Sequence, residues 1–208
     1  MNLYNYDLNL LKEYNTIIGI DEVGRGNIAG PLVVCACIMN YDSLIQGIND
    51  SKKLSEKKRQ ALYQEILQQC NQHIIIEVDN EIVDSINIYQ ATKQAMLQTL
   101  EQLSFNKDKT IILSDAMPLN IENNLPIIKG DATSYAIACA SILAKVYRDN
   151  LMIQLDKDYP LYDFKNNKGY GTKKHLQAIK EHGYIPGVHR KSYEPIKSML
   201  NQQLNLFE

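Results

Sequence analysis

Apolar and polar positions alternate along the chain in blocks that predict a mixed α/β architecture. Thr16 to Ile20 is a short apolar run entering Asp21-Glu22, and Pro31 to Met39 is a second one, with strand-forming side chains throughout. Gly24, Gly26 and Gly30 lie between them and suit a chain reversal, so an antiparallel hairpin is expected whose connection carries Val23 to Asn27. Ser55 with Glu56 behind it opens a helix through about Gln69, and His73 to Val78 reads as a third strand. A helix is expected from about Glu81 to Leu103. Lys109 to Leu113 and Leu125 to Ile128 are two further buried-type strands, ending in Ser114-Asp115 and Lys129-Gly130-Asp131.

From Ala132 to about Leu155 the pattern is helical, and Ala136, Ala140 and Ala144 at i, i+4 spacing let that helix lie close to a sheet. Thr172 caps a helix running to about His182, which Gly183 and Pro186 stop. The order implies an α/β fold: a mixed five-stranded sheet flanked by helices, with a helical C-terminal portion from about 150. One domain is expected over 1–198, followed by a flexible tail over 199–208.

Composition narrows the function classes. No apolar run approaches the roughly 20 residues of a membrane helix. Asp7 and Glu13 stand where a secretory signal would be basic and then apolar, so a cytoplasmic protein is expected. The four cysteines include no C-x-x-C pair and read as small core residues. A net charge of -2 argues against indiscriminate binding to nucleic acid, so any such binding needs local basic patches. Two exist: Lys52, Lys53, Lys57, Lys58 and Arg59, and Lys165, Lys168, Lys173 and Lys174.

The candidate chemistry is acidic. Asp21 and Asp115 close apolar strand patterns, Glu22 adjoins Asp21, and Asp131 opens a helix, the places where α/β sheets gather functional side chains. Carboxylates held within a few ångströms need a positive partner, and oxygen-only ligands select hard ions such as Mg²⁺ or Mn²⁺. Each also has an ordinary reading: Asp131 as a helix cap, Asp115 as a turn residue, Glu22 as a solvated side chain on the face opposite Asp21. His175, His182 and His189 lack the nearby cysteines a structural zinc site usually recruits, so satisfied structural histidines are preferred.

Ile20-Asp21-Glu22-Val23-Gly24-Arg25-Gly26, followed by Ala29-Gly30-Pro31, resembles the signature of the ribonuclease HII family, the bacterial type 2 ribonucleases H. Further segments recur in that family's order: Asp50-Ser51-Lys52-Lys53-Leu54-Ser55, Ser114-Asp115, Lys129-Gly130-Asp131-Ala132 with Ser134, Ala140 to Val146 with Arg148-Asp149, Gly169-Tyr170-Gly171-Thr172 with His175, and His189-Arg190 with Ser192. The resemblance covers about residues 16 to 195. It implies a ribonuclease H-like fold and an endoribonuclease that hydrolyses the RNA strand of RNA-DNA hybrids and nicks 5' of ribonucleotides embedded in duplex DNA. Asp21, Glu22, Asp115 and Asp131 would hold two Mg²⁺ or Mn²⁺ ions, leaving a 5'-phosphate and a 3'-hydroxyl.

By the same resemblance Gly24, Arg25 and Gly26 read the ribose 2'-hydroxyl and Tyr170 packs on the sugar beyond the scissile bond. Given a duplex substrate, the two basic patches, Lys52 foremost, are expected at its phosphates, with His189 and Arg190 as further phosphate contacts and Ser134 as a further substrate contact. Gln203-Leu204-Asn205-Leu206-Phe207 resembles the peptide with which bacterial replication and repair proteins dock on the sliding clamp, so Gln203, Leu204, Leu206 and Phe207 are candidate partner contacts. A monomer is expected. Two alternatives stand beside this reading: another nuclease of the ribonuclease H-like superfamily, resolvase-type, and a non-catalytic clamp-associated binding protein.

Overall fold

The computed structural model describes residues 2–204, the last three as backbone. In chain order the elements are α1 (Leu3–Leu10), β1 (Thr16–Val23), β2 (Leu32–Met39), α2 (Glu56–Gln69), β3 (Cys70–Val78), α3 (Asn80–Ile86), α4 (Ile88–Gln102), β4 (Thr110–Asp115), β5 (Asn124–Ile127), α5 (Tyr135–Asp158), α6 (Phe164–Asn167), α7 (Lys173–His182) and α8 (Ile196–Leu204). Contacts group them into two compact units, each assembled from three separate stretches: 1–23, 33–77 and 92–146 in the first, 24–32, 78–91 and 147–208 in the second. Neither unit is a continuous piece of chain. No helix among the described residues is long and apolar enough to cross a membrane.

The first unit holds a mixed sheet of order β3-β2-β1-β4-β5, the five-stranded sheet expected from the pattern. β1 and β2 form the expected antiparallel hairpin, with Ile18 opposite Ile38 and Asp21 opposite Cys35. β1 and β4 run parallel with Ile20 beside Ser114, and β5 continues the parallel set on β4. That register puts Asp21 and Asp115 next to each other at the carboxyl ends of neighbouring strands.

Close helix approach explains Gly19. A Cβ there would stand 2.2 Å from the carbonyl carbon of Ala136, deep inside van der Waals contact with the backbone of α5. The small residues of both elements therefore bring helix and strand together, with Ile17, Ile111, Leu113, Ala136 and Ile137 buried around the junction. The start of α5 is fixed by acceptors: the Ser134 hydroxyl takes the Ile137 N–H at 3.3 Å, and Asp7 takes the Ala136 N–H at 2.8 Å. Asp7 is fully buried and also accepts the Tyr41 hydroxyl at 2.6 Å. A carboxylate at a helix N-terminus meets the unpaired N–H groups and the positive end of the helix dipole.

The second unit is organised by two arginines with no solvent exposure. Arg148 donates to the carbonyls of Pro31, Lys168 and Ala29 at 2.8, 2.7 and 3.0 Å. Arg190 donates to Asn80 Oδ1 and to the carbonyls of Arg25 and Gly30 at 3.0, 3.1 and 3.0 Å. Burying a guanidinium is expensive unless its donors are matched, and backbone carbonyls supply that match here. The result is a rigid 24–31 loop, further tied by Ile28 N–H to the Gly169 carbonyl at 2.9 Å and by Gly30 N–H to the Val188 carbonyl at 2.9 Å.

Three expectations need correction. The helix expected over Glu81 to Leu103 is two helices, because Asn87 adopts φ 68° and its side chain caps the second one through the Gln90 N–H. The segment from 199, expected as flexible tail, continues helical to Leu204, since Ile196, Met199 and Leu200 at i, i+3, i+4 spacing pack into the core of the second unit. The N-terminal segment, to which the pattern assigned no element, contains α1, whose Tyr6 and Leu10 pack against the core of the first unit.

Gly19→Ala should destabilise the protein by roughly 1–3 kcal/mol, lowering Tm by roughly 2–12 °C, because the obstructing atoms are backbone and cannot swing aside. Thermal unfolding followed by circular dichroism checks this.

Candidate active site

The sheet brings the predicted carboxylates into one electrostatic neighbourhood. Asp21 is buried near the end of β1 and accepts the Glu22 N–H at 2.7 Å. Burial, with the negative charges of Glu22 and Asp115, pushes its carboxyl well above the ordinary carboxylate range; hydrogen bonds from Ser141 and the Glu22 backbone oppose that rise. Asp115 accepts the Gly130 N–H at 2.7 Å, which ties the end of β4 to the turn carrying Asp131. A Cβ at Gly130 would lie 2.6 Å from Ile137 Cδ1 and 3.2 Å from Asp115 Oδ1, so the close approach uses glycine.

Asp131 is 5% exposed and sits in the short 3-10 turn Gly130–Ala132 rather than capping α5, whose cap is Ser134. The preceding Lys129 takes a left-handed conformation at φ 57°, which aims the turn. Burial and the charge of Asp50 raise the Asp131 carboxyl, Lys52 draws it down, and the charge of Asp115 raises it again. Lys52 Nζ stands 3.9 Å from Asp131 Oδ2. Burial would lower the Lys52 ammonium, but the combined charges of Asp131, Asp21, Asp50 and Asp115 outweigh it and raise it.

Two participants were not singled out from the sequence. Asp50 hydrogen-bonds Asp131 through its side chain and accepts the Lys52 N–H at 2.9 Å, so it shapes the turn that carries the lysine. Ser141 bonds Asp21 and lies 3.0 Å from the Ser51 hydroxyl. Both stand inside the quoted motifs, which was the available signal.

The donor chemistry suits a hard cation: four carboxylates that offer oxygen ligands only. Among the described residues, no three His, Cys, Asp or Glu side chains already close into a cage that could hold an ion. The fit is one of ligand type and electrostatic field, with the carboxylates drawn from three separate stretches of chain.

Of the substrate candidates, Gly24, Arg25, Gly26, Tyr170, His189 and Arg190 belong to the second unit, Lys52 and Ser134 to the first. Gly24, at φ 100°, leaves no room for a side chain, since a Cβ would lie 2.6 Å from Arg148 Nε and 2.7 Å from the Pro31 carbonyl. A Cβ at Gly26 would meet nothing within 4 Å, so no internal packing demands glycine there. The Arg25 carbonyl is held by Arg190 and by the Tyr193 hydroxyl at 2.7 Å. Tyr170 is 48% exposed, so its ring is available at the surface of that unit.

His189, Arg190 and Ser134, expected to touch substrate, are instead buried and engaged: His189 with His175 and Ile185, Arg190 with the 25–30 backbone, Ser134 with the N-terminus of α5. Arg59, expected with the neighbouring lysines as part of the first basic patch, donates to the Ser51 and Leu54 carbonyls and braces the Lys52 turn. In the second basic group, Lys174 pairs with Asp163 at 3.0 Å and Lys165 with Asp156 at 3.7 Å. Of the tail motif, Leu206 and Phe207 lie outside the described residues, and Gln203 and Leu204 are described only as backbone in the last turn of α8. The cysteines are free, with Cys35, Cys37 and Cys139 buried and Cys70 half-buried.

Comparison with known proteins agrees with the geometry. The family model for ribonuclease HII matches residues 18–195. The chain is similar to the ribonuclease HII of Enterococcus faecalis, 50% identical over 190 residues that cover 91% of this chain and 73% of that protein. It is similar to the ribonuclease HII of Francisella tularensis subsp. mediasiatica, 45% identical over 186 residues, covering 89% and 99%. Among solved structures it resembles the PCNA:RNase HII complex from Archaeoglobus fulgidus, with TM-score 0.71, 26% identity and coverage of 86% of this chain and 95% of that one. The chain therefore belongs to the ribonuclease HII family, as a ribonuclease H endonuclease and metal-dependent hydrolase acting on RNA-DNA hybrids.

Proposed function

We propose that the chain nicks duplexes 5' of embedded ribonucleotides as well as cutting longer hybrids, using two divalent ions, Mg²⁺ or Mn²⁺, held by Asp21, Glu22, Asp115 and Asp131. The observation that carries this is the parallel register that sets Asp21 beside Asp115 on neighbouring strands, with the Gly130 N–H bond to Asp115 tying in the turn that carries Asp131. When bound, the ions supply Lewis acidity to the phosphodiester and lower the pKa of the attacking water. The chain's own residues do the rest. Ser141 and the Glu22 N–H hold Asp21 in place, and the Gly130 N–H holds Asp115. Lys52, kept protonated by the surrounding carboxylates, contacts a phosphate oxygen of the substrate.

Selection of RNA belongs to Gly24, Arg25 and Gly26, with Tyr170 packed on the adjoining sugar. Gly26 supports this assignment: the fold tolerates a side chain there, whereas a ribose approaching the backbone does not. A resolvase-type relative or a non-catalytic binding protein would have no use for that open glycine. The tail peptide containing Gln203, Leu204, Leu206 and Phe207 docks on a bacterial sliding clamp, a reading supported by the Archaeoglobus fulgidus relative having been solved with PCNA. We read the working form as a cytoplasmic monomer, in keeping with free, largely buried thiols.

Asp21→Asn and Asp131→Asn should each reduce cleavage of a duplex carrying one ribonucleotide by at least about a hundredfold while leaving the circular dichroism spectrum and Tm within a few degrees of the parent. Retained turnover in both variants would contradict the assignment. Deleting residues 203–208 should abolish binding to the clamp in surface plasmon resonance and leave cleavage unchanged; equal clamp affinity after deletion would refute the tail's role.

A further inference from the structure

The hydrogen bonds of His175 and His189 run in one direction only. The Ile185 N–H points at His189 Nδ1 at 2.9 Å, and a backbone N–H can only donate, so that nitrogen is an acceptor. A neutral imidazole carries one proton, which in His189 must then sit on Nε2. Nε2 lies 3.0 Å from His175 Nε2, which accepts it, leaving the His175 proton on Nδ1. Nδ1 in turn lies 2.8 Å from the Tyr170 carbonyl, to which it donates. One backbone amide thus sets the tautomers of two side chains and ends in a fixed donor aimed at the residue whose ring is exposed.

The surroundings keep the chain of bonds in place. Both imidazoles are buried, at 0% and 1% exposure. Phe164 meets His175 edge-on with ring centres 5.2 Å apart, and Tyr162 lies 5.4 Å from His189. An extra proton on His189 Nδ1 would oppose the Ile185 N–H, and one on His175 Nε2 would oppose the His189 N–H. Burial depresses both groups accordingly, His189 to about 4 with the neighbouring His175 contributing.

The same segment also holds the glycine loop. His189 bridges Ala29 in an antiparallel pair, the Arg190 N–H donates to the Ile28 carbonyl at 2.9 Å, and the Arg190 guanidinium grips the Arg25 and Gly30 carbonyls. Tyr170 is pinned through its carbonyl, which takes the Thr172 N–H at 2.8 Å as well as the imidazole, and through its own N–H on the Asn167 carbonyl at 2.9 Å. Neighbouring Gly169 accepts from Ile28 and Ala29.

We propose that His175 and His189 are positioning residues for ribonucleotide selection: together with Arg190 they form one anchor that fixes Tyr170 relative to the Gly24-Arg25-Gly26 loop, so that the two reading elements act as a single rigid gauge. This rests on the reading of Tyr170 as the sugar contact. Neither histidine touches substrate. Their effect lies in the angle at which the tyrosine ring is presented, and so in the turnover of substrates that need it.

The test compares kcat and KM on two duplexes, one with a single embedded ribonucleotide and one a continuous RNA-DNA hybrid, for the parent, Tyr170→Ala, His175→Leu and His175→Asn. Asn places an N–H close to the position of Nδ1 and restores the donor to the Tyr170 carbonyl. Tyr170→Ala should reduce the single-ribonucleotide to hybrid ratio by about tenfold or more, His175→Leu should reproduce most of that loss through kcat, and His175→Asn should recover it. A reduced ratio in Tyr170→Ala with an unchanged ratio in His175→Leu would overturn the anchor and leave the tyrosine reading intact. An unchanged ratio in Tyr170→Ala would overturn the tyrosine reading and the anchor with it. Should His175→Leu fail to fold, the tautomers decide in the parent protein: long-range proton-nitrogen correlation spectra should show His189 protonated on Nε2 and His175 on Nδ1. The opposite tautomer in either ring would break the proposed direction and the proposal.

Discussion

Like charges that must share a small volume are the constraint around which the first unit is built. Asp21 is buried at the carboxyl end of β1, and the parallel register of β1 with β4 sets Asp115 beside it. Such a placement raises the Asp21 carboxyl and is unfavourable for the fold taken alone. Rigid surroundings sustain it: Gly19 lets α5 lie against the sheet, Ser141 reaches Asp21 from that helix, and Gly130 ties the Asp131 turn to Asp115. On the proposed reading, a divalent cation held among these carboxylates relieves that repulsion.

The second unit solves a different problem, that of holding irregular backbone still. Loop carbonyls cannot satisfy one another as strands do, and Arg148 and Arg190 satisfy five of them with guanidinium forks while Asn80 takes a further donor. Lysine could not replace either, having no planar fork with which to reach several carbonyls at fixed angles. On the proposed reading of the 24–26 segment, rigidity serves recognition of one hydroxyl, since a loop free to move could settle on a deoxyribose equally well.

Local chemistry was the legible part of the sequence. Ser55 and Thr172 cap the helices they were expected to cap, and α2 and α7 end where expected at Gln69 and His182. The five strands and the β1–β2 hairpin followed from apolar runs and intervening glycines. What escaped detection was set either by a single residue's backbone conformation or by partners far along the chain. Asn87 breaks a continuous helical pattern by adopting a positive φ that only local backbone geometry reveals. Arg148 falls on the same i, i+4 stripe as Ala136, Ala140 and Ala144, a sign of burial readable in hindsight, but its carbonyl partners lie on two distant loops. His189 and Arg190 are expected at substrate phosphates by their charge and polarity, whereas both are buried with their polar atoms bonded inside the second unit, a fact that depends on distant partners.

Four carboxylates from three stretches of chain are proposed to act together on a divalent ion, and isothermal titration of Mn²⁺ into the parent, Asp115→Asn and Glu22→Gln reads that cooperation without substrate. Binding to the parent should be measurable and should weaken by about tenfold or more in each variant. Equal Mn²⁺ affinity in all three proteins would rule out a shared site.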